Sequence, residues 1–559
     1  MEATVLAEEN ATLKGLLDEL AAEKSRLSSE AERLSSEREK YRELYLKLLE
    51  QYHRLEQGLR AQKSEKTPAN EAQLTLQILA TLLQDPEKQG ESPPEPLPVQ
   101  ETKVAEHTRQ KPSGRKPLPA NLPRVVITVM PPEVEEQGTD AFRRIGEEIS
   151  EVIERRPASV VIVRTERPKF VHKGAEPNAP TQVLVAEPLE LPIPRGLCGP
   201  GMLAELVVRR FQDHLPYHRL EGIYARDGLD LSRSTMCSQV MQLADLVDPL
   251  IRAMWADMLN APFICADATG VLVQAPEKCT KGHFWVAAAP QLHVMMDFSR
   301  KHDKQTVDRR FNGYQGYMVV DAHVVYDHLY KDERIKEVAC WAHTRRYFFK
   351  SMSTEPELSR EALALINGLF AIERELKDKP PQQRQLVRQQ RSLPIVDRFF
   401  EWCQTRRQHA LEETPLFKGL RYAQNQEIAL RRFLTDGRLP MDNNWSEREL
   451  RRQAVGRKNW LFVGSDDGGK ANATFTSLLA SCQLHGIEPW SYLRDLFCLF
   501  PGWPKHDVLR LAPAYWAETM QTQKAQDALD QNLIRFAMLQ LDKAEGRDAH
   551  GGESLPPAV

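Results

Sequence analysis

Three acidic residues stand where carboxylates are either costly or conspicuous. Asp267 interrupts the apolar run FICADATGVLV, and a carboxylate in mid-strand is costly unless it meets something positive. Asp321 follows the apolar stretch Met318 to Val320 and so falls at a strand's end, where open α/β sheets place ligand-binding groups. Glu447 falls in the first turn of a predicted helix, just after Asp442, Asn443 and Asn444, which are good loop and cap residues. Brought together at a sheet edge, two strand carboxylates and one helix carboxylate would hold two Mg²⁺ ions about 3.5 to 4 Å apart, an arrangement suited to phosphodiester cleavage. Oxygen ligands select Mg²⁺ or Mn²⁺. Taken singly, each acid is better explained as a cap or a surface ion pair, and spacing alone does not overturn that.

The surrounding elements decide whether such acids can meet. Residues 256–343 hold five β-prone runs, FICADATGVLV, GHFWVAAAP, QLHVMMDFSR, GYMVVDAHVVY and EVACWAHTRRYFF, which suit an α/β sheet. Residues 344–438 read as a charged helical insertion, and 439–511 resumes as helix, turn and helix carrying Glu447. Residues 512–559 read as a tail, Gly- and Pro-rich past Lys543 and disordered there. Upstream, 198–255 is helical: Met202 to Asp213 and Leu220 to Arg226 are helices, Gly228 breaks the second, and Ser232 caps a third. As a helix-turn-helix, this region would set Arg233, Ser234, Thr235, Ser238 and Gln239 in a DNA major groove. A plain helical connector has the same pattern.

Before it, 118–197 reads as a small α+β module, in which the β-branched runs RVVITVM and SVVIVRTERPKFVH flank a helix-like EEQGTDAFRRIGEEISEVIE. Residues 66–117 are a Pro-rich, charged linker. In 1–65, Leu6, Leu13, Leu20, Leu27, Leu34, Tyr41, Leu48 and Leu55 recur every seven residues, a leucine seam that predicts a coiled-coil homodimer or higher oligomer through residues 5–60. The alternative is a long surface helix packed on its own chain.

At 559 residues and 41% hydrophobic content the chain can fill several domains. A net charge of −3 requires any nucleic-acid surface to be local. The eight cysteines never form a CxxC pair, which argues against a disulfide framework and a Cys-rich zinc site. No run approaches a membrane span and the N-terminus lacks a signal pattern, so a soluble, cytoplasmic protein is expected.

Several runs carry a resemblance: KPLPANLPR, DHLPYHRLEGIYARDGLDLSRST, ADATG, CWAHTRRYF, and the long NNWSERELRRQAVGRKNWLFVGSDDGGKANATFTSLLASCQLHGIEPWSYLRDL. Through them the chain, from the leucine seam to about Leu511, resembles insertion-sequence-66 transposases. The resemblance implies a leucine zipper, a small zinc-finger-like module, and a ribonuclease-H-like catalytic domain with a helical insertion before its last acid. On that pattern Asp267, Asp321 and Glu447 match a DDE triad acting on double-stranded DNA with two Mg²⁺ or Mn²⁺ ions. The DNA comprises element ends and target. The resemblance also implies small accessory proteins encoded nearby and association with the nucleoid when DNA is bound.

Beside Glu447, Arg448, Arg451, Arg452, Arg457 and Lys458 would bind phosphates of the element end, with surface solvation as the alternative. Trp460, Leu461 and Phe462 read as core. His343 would orient a carboxylate or phosphate, or else is a buried, hydrogen-bonded histidine. Two departures from the family stand out. Ala268 replaces an acid after the first Asp, and the module at 118–197 has Gln137 to Asp140 and Val171 to Gly174 where cysteine pairs are usual, leaving His172 alone. Four zinc ligands cannot be assembled there, so no structural zinc is expected. Two rival readings remain open: a non-catalytic DNA-binding derivative of a transposase, and a coiled-coil scaffold.

Overall fold

The computed structural model describes residues 14–15, 20–42, 44–45, 48, 118, 120, 122–156, 159–172 and 183–544. The linker at 66–117 and Leu6, Leu13 and Leu55 of the leucine seam lie outside the described residues. The chain is mixed α/β and divides into two units: residues 1–112 with 343–427, and residues 113–342 with 428–559. Among the described residues no helix is long and apolar enough to cross a membrane.

The second unit begins with β1 (Arg124–Thr128), α1 (Pro132–Gln137), β2 (Phe142–Arg156), β3 (Ser159–His172) and β4 (Leu184–Val185). β2 and β3 form a long antiparallel hairpin, with β1 parallel to β3 on its other edge. The sequence reading made most of β2 a helix, and the structure corrects it. Ile145, Ile149, Val152 and Ile153 fit a helical stripe, but β3 offers a continuous β-branched partner: Val152 pairs with Val163 and Ile153 with Ile162. The charged residues of β2 then find cross-strand partners, Glu148 with Arg167 (2.6 Å) and Lys169 (2.9 Å), and Glu151 with Arg124 (3.1 Å). Pairing across strands outweighs local helix propensity.

Next come α2 (Pro200–Val207), prolonged by a π-helical turn at Val208–Gln212, then α3 (Tyr217–Arg226) and α4 (Arg233–Met258). Gly228 ends the second of these regions at φ 81°, a conformation that favours glycine, and the Ser232 side chain accepts from Thr235 N to cap α4.

All five β-prone runs form strands: β5 (Phe263–Val273), β6 (Thr280–Ala289), β7 (His293–Ser299), then α5 (Lys304–Phe311), β8 (Gly316–Val320) and β9 (Ile335–Ala339). They make one sheet in the order β7-β6-β5-β8-β9, antiparallel among the first three and parallel from β5 to β9. Both faces are buried. Ile264, Ala266, Trp285, Ala287, Met295, Met318 and Val320 enter one core, and Cys265, Phe284, Val286, Val294, Met296 and Val319 the other, in strict alternation.

The helices α6 (Trp341–Lys350), α7 (Pro356–Glu375), α8 (Pro381–Val387), α9 (Leu393–Arg407), α10 (Pro415–Asn425) and α11 (Glu427–Arg431) follow. Within residues 343–427, Ile366, Leu369, Val396, Phe399 and Leu420 are buried, and fully buried Arg388 is held bidentately by Glu373 at 2.7 and 2.6 Å. A guanidinium can be buried when both its forks are so matched. In the same unit, residues 20–42 are helical, and Leu20, Leu27, Leu34, Tyr41 and Leu48 are all exposed.

The chain returns to the second unit with α12 (Asn444–Trp460), α13 (Asp466–Leu484) and α14 (Pro489–Leu499), then α15 (Pro513–Thr519), α16 (Gln523–Asp530) and α17 (Leu533–Ala544). Residues 513–544, expected to be tail, are therefore folded. Ala525 and Leu529 join the main core, and Ile534 and Met538 of α17 pack on Val152, Val161 and Val163 of the hairpin. Burial of that apolar stripe against the sheet is the physical reason. Residues 545–559 lie outside the described residues.

Candidate active site

β5 and β8 run parallel with Phe263 opposite Tyr317, Ile264 opposite Met318 and Cys265 opposite Val319. Continued by two residues, that register sets Asp267 beside Asp321, on strands about 4.8 Å apart. Alternation puts Asp267 on the face of Cys265, which is also the face covered by α12 through Leu450 and Trp460. Asp321 begins the turn after β8, accepting from His323 N at 3.2 Å, and the next residue, Ala322, is held at φ 61°. A left-handed alanine is strained backbone, and it stands directly beside the carboxylate.

α12 is tethered to this point. Fully buried Asn443 makes no side-chain cap; its Nδ2 donates to the carbonyl of Ala266 (3.0 Å), and its backbone N–H points at Cys340 Sγ (3.1 Å). Glu447 lies one helical turn on, its N–H donating to Asn443 O (3.2 Å), so it shares the face of the residue that touches β5. Asp267, Asp321 and Glu447 are each partly exposed. Among the described residues no group of three His, Cys, Asp or Glu side chains is close enough to hold one metal ion. The structure thus sets two acids just beyond the paired residues of neighbouring parallel strands and anchors the helix of the third nearby, without closing a three-ligand shell.

The surroundings favour a cation. Burial, with the Asp267 and Asp321 carboxylates, pushes the Tyr326 hydroxyl far up, and that hydroxyl has no hydrogen-bond partner. Burial, then Asp327 and Asp321, raise the Glu337 carboxyl to about 7 against the pull of Arg432, and its Oε1 is likewise buried without a partner. Crowded carboxylates and orphaned oxygen atoms are donors of the hard type that suits Mg²⁺ or Mn²⁺.

A group of aromatic residues that sequence reasoning missed borders the acids. His302 stacks on Trp285 (4.6 Å, 12°) and lies edge-on to His323 (4.7 Å) and tilted to His283 (4.9 Å). Burial, then His323 and His283, lower the His302 imidazole, and Asp321 opposes them. Buried Arg310, paired to Asp297 at 2.6 Å, stands 4.8 Å from the centre of the Trp285 ring. The four rings come from β6 and from the loops after β7 and β8, Asp297 from β7 and Arg310 from α5, and no local spacing in the chain announces the group.

The expected DNA contacts divide. On α4, Arg233 and Ser234 are exposed and Thr235 is half-buried, but Gln239 retains only 8% exposure. Its assignment to a DNA groove is corrected, because two turns of α4 turn that position toward the core beside Val240 and Leu243. On α12, Arg448, Arg451 and Lys458 are exposed, with Arg448 stacked 4.4 Å from the Trp445 ring centre. Arg452 is engaged by Glu449 (2.9 Å) and Gln483, and Arg457 donates to Gly270 O (2.6 Å) and Thr269 Oγ1 (3.1 Å), bracing α12 against β5. His343 sits in the first turn of α6, half-buried. Trp460 is buried as expected, whereas Leu461 (66% exposed, φ 64°) and Phe462 (39%) are not core residues. The helix ends at Trp460 and the chain turns outward.

A family model described as "Transposase IS66 family" matches residues 195–471, and one described as "Transposase C of IS166 homeodomain" matches residues 47–127. The chain is 31% identical over 426 residues to "Uncharacterized protein y4qI" of Sinorhizobium fredii, covering 72% of this chain and 78% of the relative. It is 27% identical over 493 residues to "Uncharacterized protein y4hP" of the same organism, covering 83% and 87%. The matched span 195–471 contains both strand acids, the helical insertion and α12, and with these relatives it shows that the chain belongs to the IS66 family of transposases.

Proposed function

We propose that the chain is the DNA-cutting and joining enzyme of a mobile element, a DDE-type transposase with Asp267, Asp321 and Glu447 as its catalytic acids. The observation that supports this reading is the parallel β5–β8 pairing, which ends at Cys265 and Val319, two residues before Asp267 and Asp321, on the face under α12. The strand order β7-β6-β5-β8-β9, with an all-helical segment before the helix of the third acid, supports a ribonuclease-H-like catalytic domain.

Asp267, Asp321 and Glu447 would hold two Mg²⁺ or Mn²⁺ ions, which when bound supply positive charge to the attacking and leaving oxygens. The chain's own residues do the rest. Asn443 and Arg457 fix α12 on β5, and exposed Arg448, Arg451 and Lys458 bind the phosphates of the element end. In the first step water displaces the 3′ oxygen at the element boundary, and in the second the freed 3′ hydroxyl displaces a 3′ oxygen of target DNA. Each step forms one P–O bond and breaks one, in line. Arg233, Ser234 and Thr235 at the start of α4 read the element end in the major groove.

Two ends must be cut together, and the exposed stripe of Leu20, Leu27, Leu34, Tyr41 and Leu48 supports self-association through residues 5–60. Deleting residues 1–65 should reduce the mass seen by light scattering to a monomer; an unchanged oligomer puts the interface elsewhere. The catalytic reading is tested by incubating full-length protein with its native flanking DNA and Mg²⁺. A nick at the element boundary is expected, and intact DNA with retained binding favours a non-catalytic DNA-binding protein instead.

A further inference from the structure

The π-helical turn at Val208–Gln212 places Arg210 where a cation is hard to explain. Its guanidinium lies 5.0 Å from the Tyr217 ring centre, 5.7 Å from Phe211 and 5.9 Å from Trp460, with Nε and Nη1 buried and without hydrogen-bond partners. No carboxylate among the described residues acts on it; burial pulls its proton affinity down and only Tyr217 and Cys237 oppose. Aromatic faces recover part of the lost hydration but leave in-plane N–H groups unsatisfied.

The neighbours add positive charge. Arg210 lines a small recess, open to solvent, with His214, Arg452, Gln453, Asn472 and Thr476 among its other walls. No residue lining it is acidic. His214 is lowered by burial first, then by Arg452, with Asp213 opposing and Arg210 adding to the depression. It is also held at φ 58°, a strained backbone for histidine. Gly456 lets Trp460 and His214 pack closely on α12, since a Cβ there would meet Trp460 Nε1 at 2.7 Å and His214 Nδ1 at 3.2 Å.

Arg452 keeps Glu449 as its counter-ion, but Arg210 has no carboxylate partner among the described residues, and an uncompensated guanidinium beside an imidazole makes a site for a compact oxyanion. We infer that this recess binds a single phosphate group, with Arg210 and His214 as its donors and Arg452 supplying long-range charge. Arginine forks match phosphate geometry, and the wall formed by Arg452 and Gln453 belongs to α12, the helix that carries Glu447. The phosphate comes either from a DNA backbone or from free phosphate in solution. The first source rests on the transposase reading, and the second does not.

The test uses the full chain, with Arg210→Met and His214→Asn as variants. Asparagine tolerates the left-handed backbone at 214, so the second variant decides the matter if the first fails to fold. Two readouts are taken: thermal melting in inorganic phosphate against chloride at matched ionic strength, and the slope of log K against log salt for a DNA duplex of arbitrary sequence. A slope smaller by about 0.9 in either variant identifies a DNA backbone phosphate. Unchanged slopes, with a phosphate-specific rise in wild-type melting that the variants lose, identify free phosphate. Equal slopes and equal phosphate-induced shifts in all three proteins overturn the site. Loss of element-end cleavage in a protein that still binds phosphate counts against the transposase reading and leaves the recess standing.

Discussion

The two sheets of the second unit are built from similar residues and depend on different forces. The five-stranded sheet is buried on both faces, so its strands read as continuous apolar runs, and a lone Asp267 or Asp321 is conspicuous. The hairpin of β2 and β3 is covered on part of its length by α2 and α17 and elsewhere presents Glu, Arg and Lys to solvent in cross-strand pairs. Where burial dominates, sequence pattern and structure coincide. Where partner choice dominates, the same pattern fits a helix equally well, and only the neighbouring strand decides.

The sharpest break between the two sheets is chemical. Asp267→Asn, Asp321→Asn and Glu447→Gln should each cut element-end cleavage by about 10³-fold or more while DNA binding persists in gel shifts. Wild-type cleavage rates in these variants would remove the acids from the mechanism. No substitution confined to the solvent face of the β2–β3 hairpin should have such an effect.

Stability should separate them next. Phe284, fully buried in the large sheet, should cost about 3 to 5 kcal/mol when changed to Ala, whereas Ile534→Val in the small cluster joining α17 to the hairpin should cost about 1 kcal/mol. Chemical denaturation measures both, and equal losses would mean the hairpin is as deeply packed as the five-stranded sheet.

A third contrast is with pH. On β2, Glu154 is fully buried, accepts from the backbone of Arg155 (2.8 Å) and Met202 (2.9 Å), and is raised by burial from 4.5 to about 8. A folded-state value above the unfolded one means that the folded chain holds a proton the unfolded chain has lost. The stabilisation is therefore complete below about 4.5 and is lost as pH rises through about 8. The slope is at most about 1.4 kcal/mol per pH unit. Glu154→Gln should flatten urea midpoints across that window, and an unchanged pH dependence would place the titrating group elsewhere.

The smallest expected effect is none at all. His172 packs edge-on against Phe142 at 5.2 Å, and the module at 118–197 has no cysteine pair, so chelation should leave its melting unchanged. Stoichiometric zinc, lost on His172→Ala, would contradict this.

The elements that carry the candidate acids could be read from the chain. Asp267 in mid-strand, Asp321 at a strand's end and Glu447 in a helix's first turn all stand where expected. The Trp285 and His302 stack could not be, since its members come from separate segments, and Asn443 reads as a cap residue although it serves as a tether. Gln239 was misread because an amphipathic helix shows its period in sequence but not which face its neighbours will cover.

By itself the sequence determined what local periodicity and composition encode: the leucine stripe, the five apolar strands, the caps and turns at Gly228 and Ser232, and the types of residue available for chemistry. Tertiary structure alone decided that β2 is a strand, that residues 513–544 fold onto the core, and that Arg210 meets His214 and Arg452 around one recess. The reason is that local patterns fix a segment's own period and buried face, whereas strand partners and converging side chains depend on burial free energy shared among segments far apart in the chain.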